Sequence, residues 1–164
     1  MGRDMTVKKK MIRLLCLALL SCLLCGCGAK EQPAAMNKTC AELADLAAAS
    51  AAFQELADAN AKYLAKHLMV DADTLDDWCL RMDNTRATSE MICILKVKPE
   101  ADQKKVREAL EDYRAEQAAI YRDYAPAEAA KLEKARVLEN GAYLALIVSP
   151  DADKTAAALG AGWK

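Results

Sequence analysis

One histidine and one phenylalanine are all that the 164 residues contain of either type, and aromatic residues make up 5% of the chain. His67 is therefore the one imidazole that a Ser-His-Asp triad could use. It lies beside Lys66 and Leu68 near the end of an expected helix, where the helix dipole favours a surface cation. There is no glycine-rich phosphate loop and no His-Glu-x-x-His. Beyond residue 27 there is also no Cys-x-x-Cys. The densest acidic cluster is Asp71, Asp73, Asp76 and Asp77, but it lacks the turn glycine and closing glutamate of a calcium loop. It reads as a solvated turn that supplies caps. No catalytic residue, metal or cofactor is assigned from these patterns, and the chain is not expected to be an enzyme.

A long apolar run is also missing. The longest, residues 14–25, has 12 residues, whereas a membrane-spanning helix needs roughly 20. What is there is a secretory signal. Arg3, Lys8, Lys9, Lys10 and Arg13 precede the apolar segment, and Leu24-Cys25-Gly26-Cys27 closes it. That ending resembles a bacterial lipobox, with cleavage between Gly26 and Cys27 and lipid attached to the Cys27 thiol. The resemblance to bacterial lipoproteins implies a diacylglycerol thioether on Cys27, which makes the membrane a partner. It places the protein at the extracytoplasmic face of the cell membrane. No Arg-Arg pair is present, which favours the general secretion route. The start, Met1-Gly2-Arg3-Asp4-Met5-Thr6, formally matches a myristoylation pattern, but the apolar segment behind it favours export.

These signals divide the chain into a signal peptide over 1–26, a lipidated cysteine and flexible tether over 27–39, and one domain over 40–164. The tether from Gly28 to Thr39 spans on the order of 20 Å as a coil. The first 26 residues carry five basic residues and one acid, so 18 basic and 23 acidic residues remain, a net charge of −5. An acidic chain without a basic stretch is a poor nucleic-acid binder, and none is expected as a partner. Of seven cysteines, only Cys40, Cys79 and Cys93 follow residue 27. An odd number without close spacing excludes a disulfide framework or four-cysteine zinc site, and reads as small buried side chains.

Abundant alanine and few aromatics favour helix. The spacing predicts a helix over 40–69, with Thr39 and Glu42 as a capping box. It is weakest near Ala49–Phe53, where it could break in two. Residues 77–82 and 90–97 alternate as two strands of a hairpin. Trp78, Leu80 and Met82 share a face with Met91, Cys93 and Leu95, which turns Cys79 away from Cys93. A helix over about 101–124 carries the stripe Val106, Leu110, Tyr113, Gln117, Ile120 and Tyr124. Pro126 starts a short helix, about 127–133. Asn140-Gly141 then signals a type I′ hairpin. Ser149-Pro150-Asp151 caps a last helix that runs to about Leu159. The order helix-strand-strand-helix-strand-strand-helix implies an α+β domain. Its four-stranded antiparallel sheet comes from two hairpins, with helices packed on it.

The run from Ser89 through Ile94-Leu95-Lys96-Val97-Lys98 is followed by Val106 and Leu110, then Tyr121-Arg122-Asp123-Tyr124-Ala125-Pro126. Gly141-Ala142-Tyr143-Leu144 and Val148-Ser149-Pro150-Asp151 close it. In this order the segments resemble a bacterial lipoprotein family, domain of unknown function 4358, over about residues 42–160. The resemblance implies an exported, lipid-anchored α+β domain and carries no catalytic residues. Tyr113, Gln117, Tyr121 and Tyr124 are the candidate ligand surface, because tyrosine combines apolar area with a hydrogen-bonding tip. The expected function is a noncatalytic binding or scaffold domain with an envelope protein partner. The alternative is a small-molecule or metal binder that feeds a membrane transporter. Cys27→Ala is expected to leave an uncleaved or unanchored precursor. Metabolic lipid labelling and membrane fractionation check this, and a variant processed and retained like wild type would refute the lipobox.

Overall fold

The computed structural model describes residues 38–163; the signal segment, Gly26, Cys27 and most of the tether lie outside them. The first helix, α1 (Cys40–Ser50), opens as its sequence predicts. Thr39 accepts from the Glu42 backbone N–H, and the Glu42 carboxylate accepts from the Thr39 backbone N–H. The helix stops at Ser50, inside the weak Ala49–Phe53 stretch. The residues beyond Ser50 overturn the single long helix expected over 40–69. The chain first forms a three-residue strand, β1 (Leu56–Asp58), and then α2 (Ala61–His67), which is capped by Asn60. Helix propensity yields here to pairing, because Leu56, Ala57 and Asp58 register against Asp83, Met82 and Arg81.

A short 3-10 turn over Ala72–Thr74 leads into β2 (Leu75–Asp83), which pairs antiparallel with β3 (Met91–Val97). Trp78 faces Leu95, Leu80 faces Cys93 and Met82 faces Met91 across the pair, the register read from the alternation. Cys79 pairs with Ile94 and so points to the opposite face from Cys93. A register shift between Leu75 and Asp77 sets the Asp77 carboxylate under α1, where it accepts from the Cys40 N–H at 2.7 Å. Asp71 accepts from the Asp73 N–H at 2.9 Å. Two of the four clustered aspartates are therefore caps.

The next helix, α3 (Gln103–Tyr121), ends three residues before the predicted limit. Val106, Leu110 and Tyr113 are buried along its stripe, but Ile120 is 48% exposed and Tyr124, beyond the helix, 66% exposed. Ala118 fills the inner position instead. Helix α4 (Pro126–Lys134) carries its proline in the first turn. The second hairpin is β4 (Val137–Asn140) and β5 (Tyr143–Val148). Its loop is Gly141-Ala142 rather than Asn140-Gly141. Asn140 pairs with Tyr143, and of these residues only Gly141 has positive φ, +57°. A glycine at the first of two loop positions is the type II′ requirement, not that of type I′. The last helix, α5 (Ala152–Gly162), is capped by Asp151 rather than Ser149. Ser149 is buried and bonded to the Thr155 hydroxyl at 2.7 Å. The helix also continues past Leu159 to Gly162, because Gly162 lies against Leu43 and Leu46 of α1.

The sheet therefore has five strands, one more than expected, in the order β1-β2-β3-β5-β4 and antiparallel throughout. Helices cover both faces. α2, α3 and α4 enclose a core with Leu80, Cys93, Leu95, Leu144 and Leu146. α1 and α5 enclose a second with Cys79, Ile92, Ile94, Ala145 and Ile147. At the edge of this second core the Lys38 ammonium donates to the Gly162 carbonyl at 3.0 Å, and the Tyr143 hydroxyl donates to the Lys38 carbonyl at 3.1 Å. No helix among the described residues is long and apolar enough to cross a membrane.

Cys40, Cys79 and Cys93 are buried free thiols, and burial raises the pKa of all three. Peptide mapping of denatured, unreduced protein should yield no peptide pair joining Cys79 to Cys93. A linked pair would overturn the β2–β3 register.

Candidate functional site

The loop between β2 and β3 is organised by one carboxylate. Asp83, buried at the end of β2, accepts from the Thr85 and Thr88 backbone N–H groups, each at 2.8 Å. It also accepts from both threonine hydroxyls at 2.7 Å. Burial alone would raise the Asp83 pKa, but these four bonds outweigh it and hold the carboxyl down at about 2. The loop closes so tightly that Arg86, at its tip, takes a left-handed backbone conformation with φ of +60°. That region is unfavourable for a side chain of this size.

A second set of carboxylates clamps the base of the loop. Glu128 of α4 accepts from the Ser89 N–H at 2.8 Å and the Ser89 hydroxyl at 2.9 Å. Lys131, one turn on, lies 3.0 Å from Glu128 and donates to Glu90 at 2.7 Å. The Glu90 side chain is 2% exposed, and its other oxygen accepts from the Gln54 N–H at 2.7 Å. A buried carboxylate persists only when paired and bonded in this way. Burial would lower the Lys131 pKa, but Glu90 and Glu128 raise it. Burial would also raise Glu128, but the Ser89 N–H and Lys131 lower it. These charges join β3, α4 and the segment before β1 at one corner.

Beside this corner lies an open cavity of about 340 Å³, within the range of small-ligand sites. One wall is Ala57 and Asp58 of β1 with Tyr63 of α2. The loop residues Arg86, Thr88 and Ser89 form a second, and Tyr113, Gln117 and Tyr121 of α3 a third. Of the candidate ligand surface, Tyr113, Gln117 and Tyr121 thus reach one cavity. Tyr124 lies outside it, its ring centroid 5.1 Å from that of Tyr121. Burial, reinforced by the neighbouring Tyr63 hydroxyl, raises the Tyr113 pKa. Burial and the Tyr124 hydroxyl do the same for Tyr121. Both phenols therefore act as neutral hydrogen-bonding groups at physiological pH.

A family model described as Domain of unknown function (DUF4358) matches residues 49–149. The chain belongs to this family. No curated protein and no solved structure matches it. The DUF4358 match holds the sheet, α2, α3, α4 and every wall of the cavity, but only the last two residues of α1 and none of α5. It is narrower than the span of about 42–160 that the sequence suggests. The α1–α5 layer thus lies largely outside the matched residues. His67 lies outside the first cavity, stacked on Tyr63. Among the described residues no group of three His, Cys, Asp or Glu side chains could hold a metal.

Sequence reasoning did not find Arg86, Glu90, Glu128 or Lys131. Glu128 and Lys131 are three apart on a helix, an ordinary surface pair in one dimension. The only local signal at Glu90 is a carboxylate next to the apolar run Met91–Leu95. The depressed Asp83 carboxyl stabilises the fold above the ordinary aspartate pKa of 3.8, and that contribution fades as the pH falls toward 2. Asp83→Asn should cost about 1–3 kcal/mol at neutral pH. Its stability should converge on that of wild type as the pH falls from 3.8 toward 2. Chemical denaturation across pH checks this, and a gap that persists at pH 2 would refute the role of the charge.

Proposed function

We propose that the mature chain is an exported lipoprotein held at the extracytoplasmic face of the cell membrane by lipid on Cys27. Its single domain, residues 40–164, binds rather than transforms. The observation that carries this reading is the state of the groups around the cavity. It offers phenols, an amide and a guanidinium, while its buried carboxylates are already bonded within the protein. A general base works best as a free carboxylate or imidazole whose pKa lies near the operating pH, and the lining of this cavity includes no imidazole. Ser89, the hydroxyl nearest to a nucleophile, donates to a Glu128 carboxylate whose pKa is lowered. Such a carboxylate is a weak base, and the pair is better suited to clamping α4 against β3.

The cavity volume of about 340 Å³ also favours a second reading, a small-molecule binder that passes its ligand to a membrane transporter. A scaffold domain would instead engage an envelope protein partner across a wider surface. Native mass spectrometry distinguishes these, using the mature protein extracted in detergent from membranes of cells that export it. The small-molecule reading expects added mass beyond the lipid, lost in a Tyr121→Ala variant. A bare lipidated monomer supports the scaffold reading. Turnover of a substrate, abolished by a point mutation in the cavity, would refute the noncatalytic proposal.

A further inference from the structure

A second hollow of about 290 Å³ runs along α2 and shares Asp58, Ala59 and Tyr63 with the first. The Tyr63 and His67 rings stack there with centroids 4.3 Å apart, so aromatic surface marks the junction. The two hollows thus adjoin at Tyr63, with Tyr121 lining the first and His67 the second.

The charged groups lining the two hollows differ in how they are engaged. Asp58 accepts from Arg81 at 3.1 Å, Asp83 is held by the two threonines, and Glu90 by Lys131 and the Gln54 N–H. By contrast, Arg86 in the first hollow and Lys62 and Lys66 in the second form no ion pair among the described residues. Cations without protein partners therefore lie in both halves, with aromatic rings between them, in a mature chain whose net charge is −5.

We propose that the two hollows form one groove that binds an acidic glycan, a chain of sugar rings that carry carboxylates. The proposal rests on the binding reading above and names its ligand class. A sugar ring has apolar C–H faces and a rim of hydroxyls. Tyrosine matches that combination with an apolar ring and a polar tip, and the Asn84 and Gln117 amides can serve the hydroxyls. Carboxylates set at intervals along the glycan meet Arg86 at one end and Lys62 and Lys66 at the other. Arginine suits such a group because its fork matches a carboxylate in two parallel bonds. A nucleic acid fits less well, because a phosphate on every residue needs a denser row of cations.

The test uses the detergent-extracted mature protein on an array of uronic-, muramic- and sialic-acid oligosaccharides beside neutral oligosaccharides of equal length. Citrate and benzoate serve as non-sugar anions. Binding should be confined to the acidic glycans and weaken as salt rises. Arg86→Gln and Lys66→Gln alter exposed side chains, and each should weaken binding by about tenfold. The proposal is overturned if no acidic glycan binds, if neutral glycans bind equally well, or if both variants bind like wild type. Retention of citrate or benzoate without any glycan would also overturn it, yet leave the binding reading intact. Cleavage of a bound acidic glycan would uphold the ligand class and refute the noncatalytic reading.

Discussion

Strand β3 is dry on both faces from Met91 to Leu95, and much of the molecule depends on that constraint. A strand that buries alternate residues in two different cores must have helices on both sides of its sheet. It must also have neighbours on both edges, here β2 and β5. Where β3 begins, the chain passes from this apolar run to a charged residue, and Glu90 is buried with it. That carboxylate is stable only because Lys131 and the Gln54 N–H meet it. The contact fixes α4 against the sheet and draws in the segment before β1. At the other end the strand returns to solvent by degrees, through Lys96, whose ammonium lies 5.5 Å from the centroid of the Tyr143 ring across the pair.

The same constraint shapes the electrostatics of the groove. Carboxylates near it are engaged in structural roles, Asp83 in closing a loop and Glu90 and Glu128 in joining elements. The cations are not needed for that work and face outward. Exposed cations without ion-pair partners thus stand beside carboxylates that the fold has engaged, without any basic run in the sequence.

The parts of the fold that depend on periodicity were legible. Alternation from Trp78 to Met82 and from Met91 to Leu95 set the β2–β3 register and the faces of Cys79 and Cys93. Capping chemistry marked the start of α1, and Pro126 that of α4. The parts that depend on tertiary contact were not. Strand β1 has only three residues in an alanine-rich stretch, too few to show a period, and exists because β2 offers it an edge. Gly162 looks like fraying chain in one dimension, but its missing side chain lets α5 lie against Leu43 and Leu46. The site was half legible. Tyr113, Gln117 and Tyr121 share a helical face that spacing reveals. Arg86 and Tyr63 reach the same cavity from other elements, and only the sheet order brings them there.

The contacts of Lys38 bear on where the described chain enters the domain. Its backbone and ammonium are bonded to Tyr143 and Gly162, on the α1–α5 side of the sheet. The groove belongs to the opposite layer, with α2 and α3. The two contacts tie Lys38 to the α1–α5 layer. The five-stranded sheet therefore stands between the point where the described chain begins and the tyrosine-lined cavity.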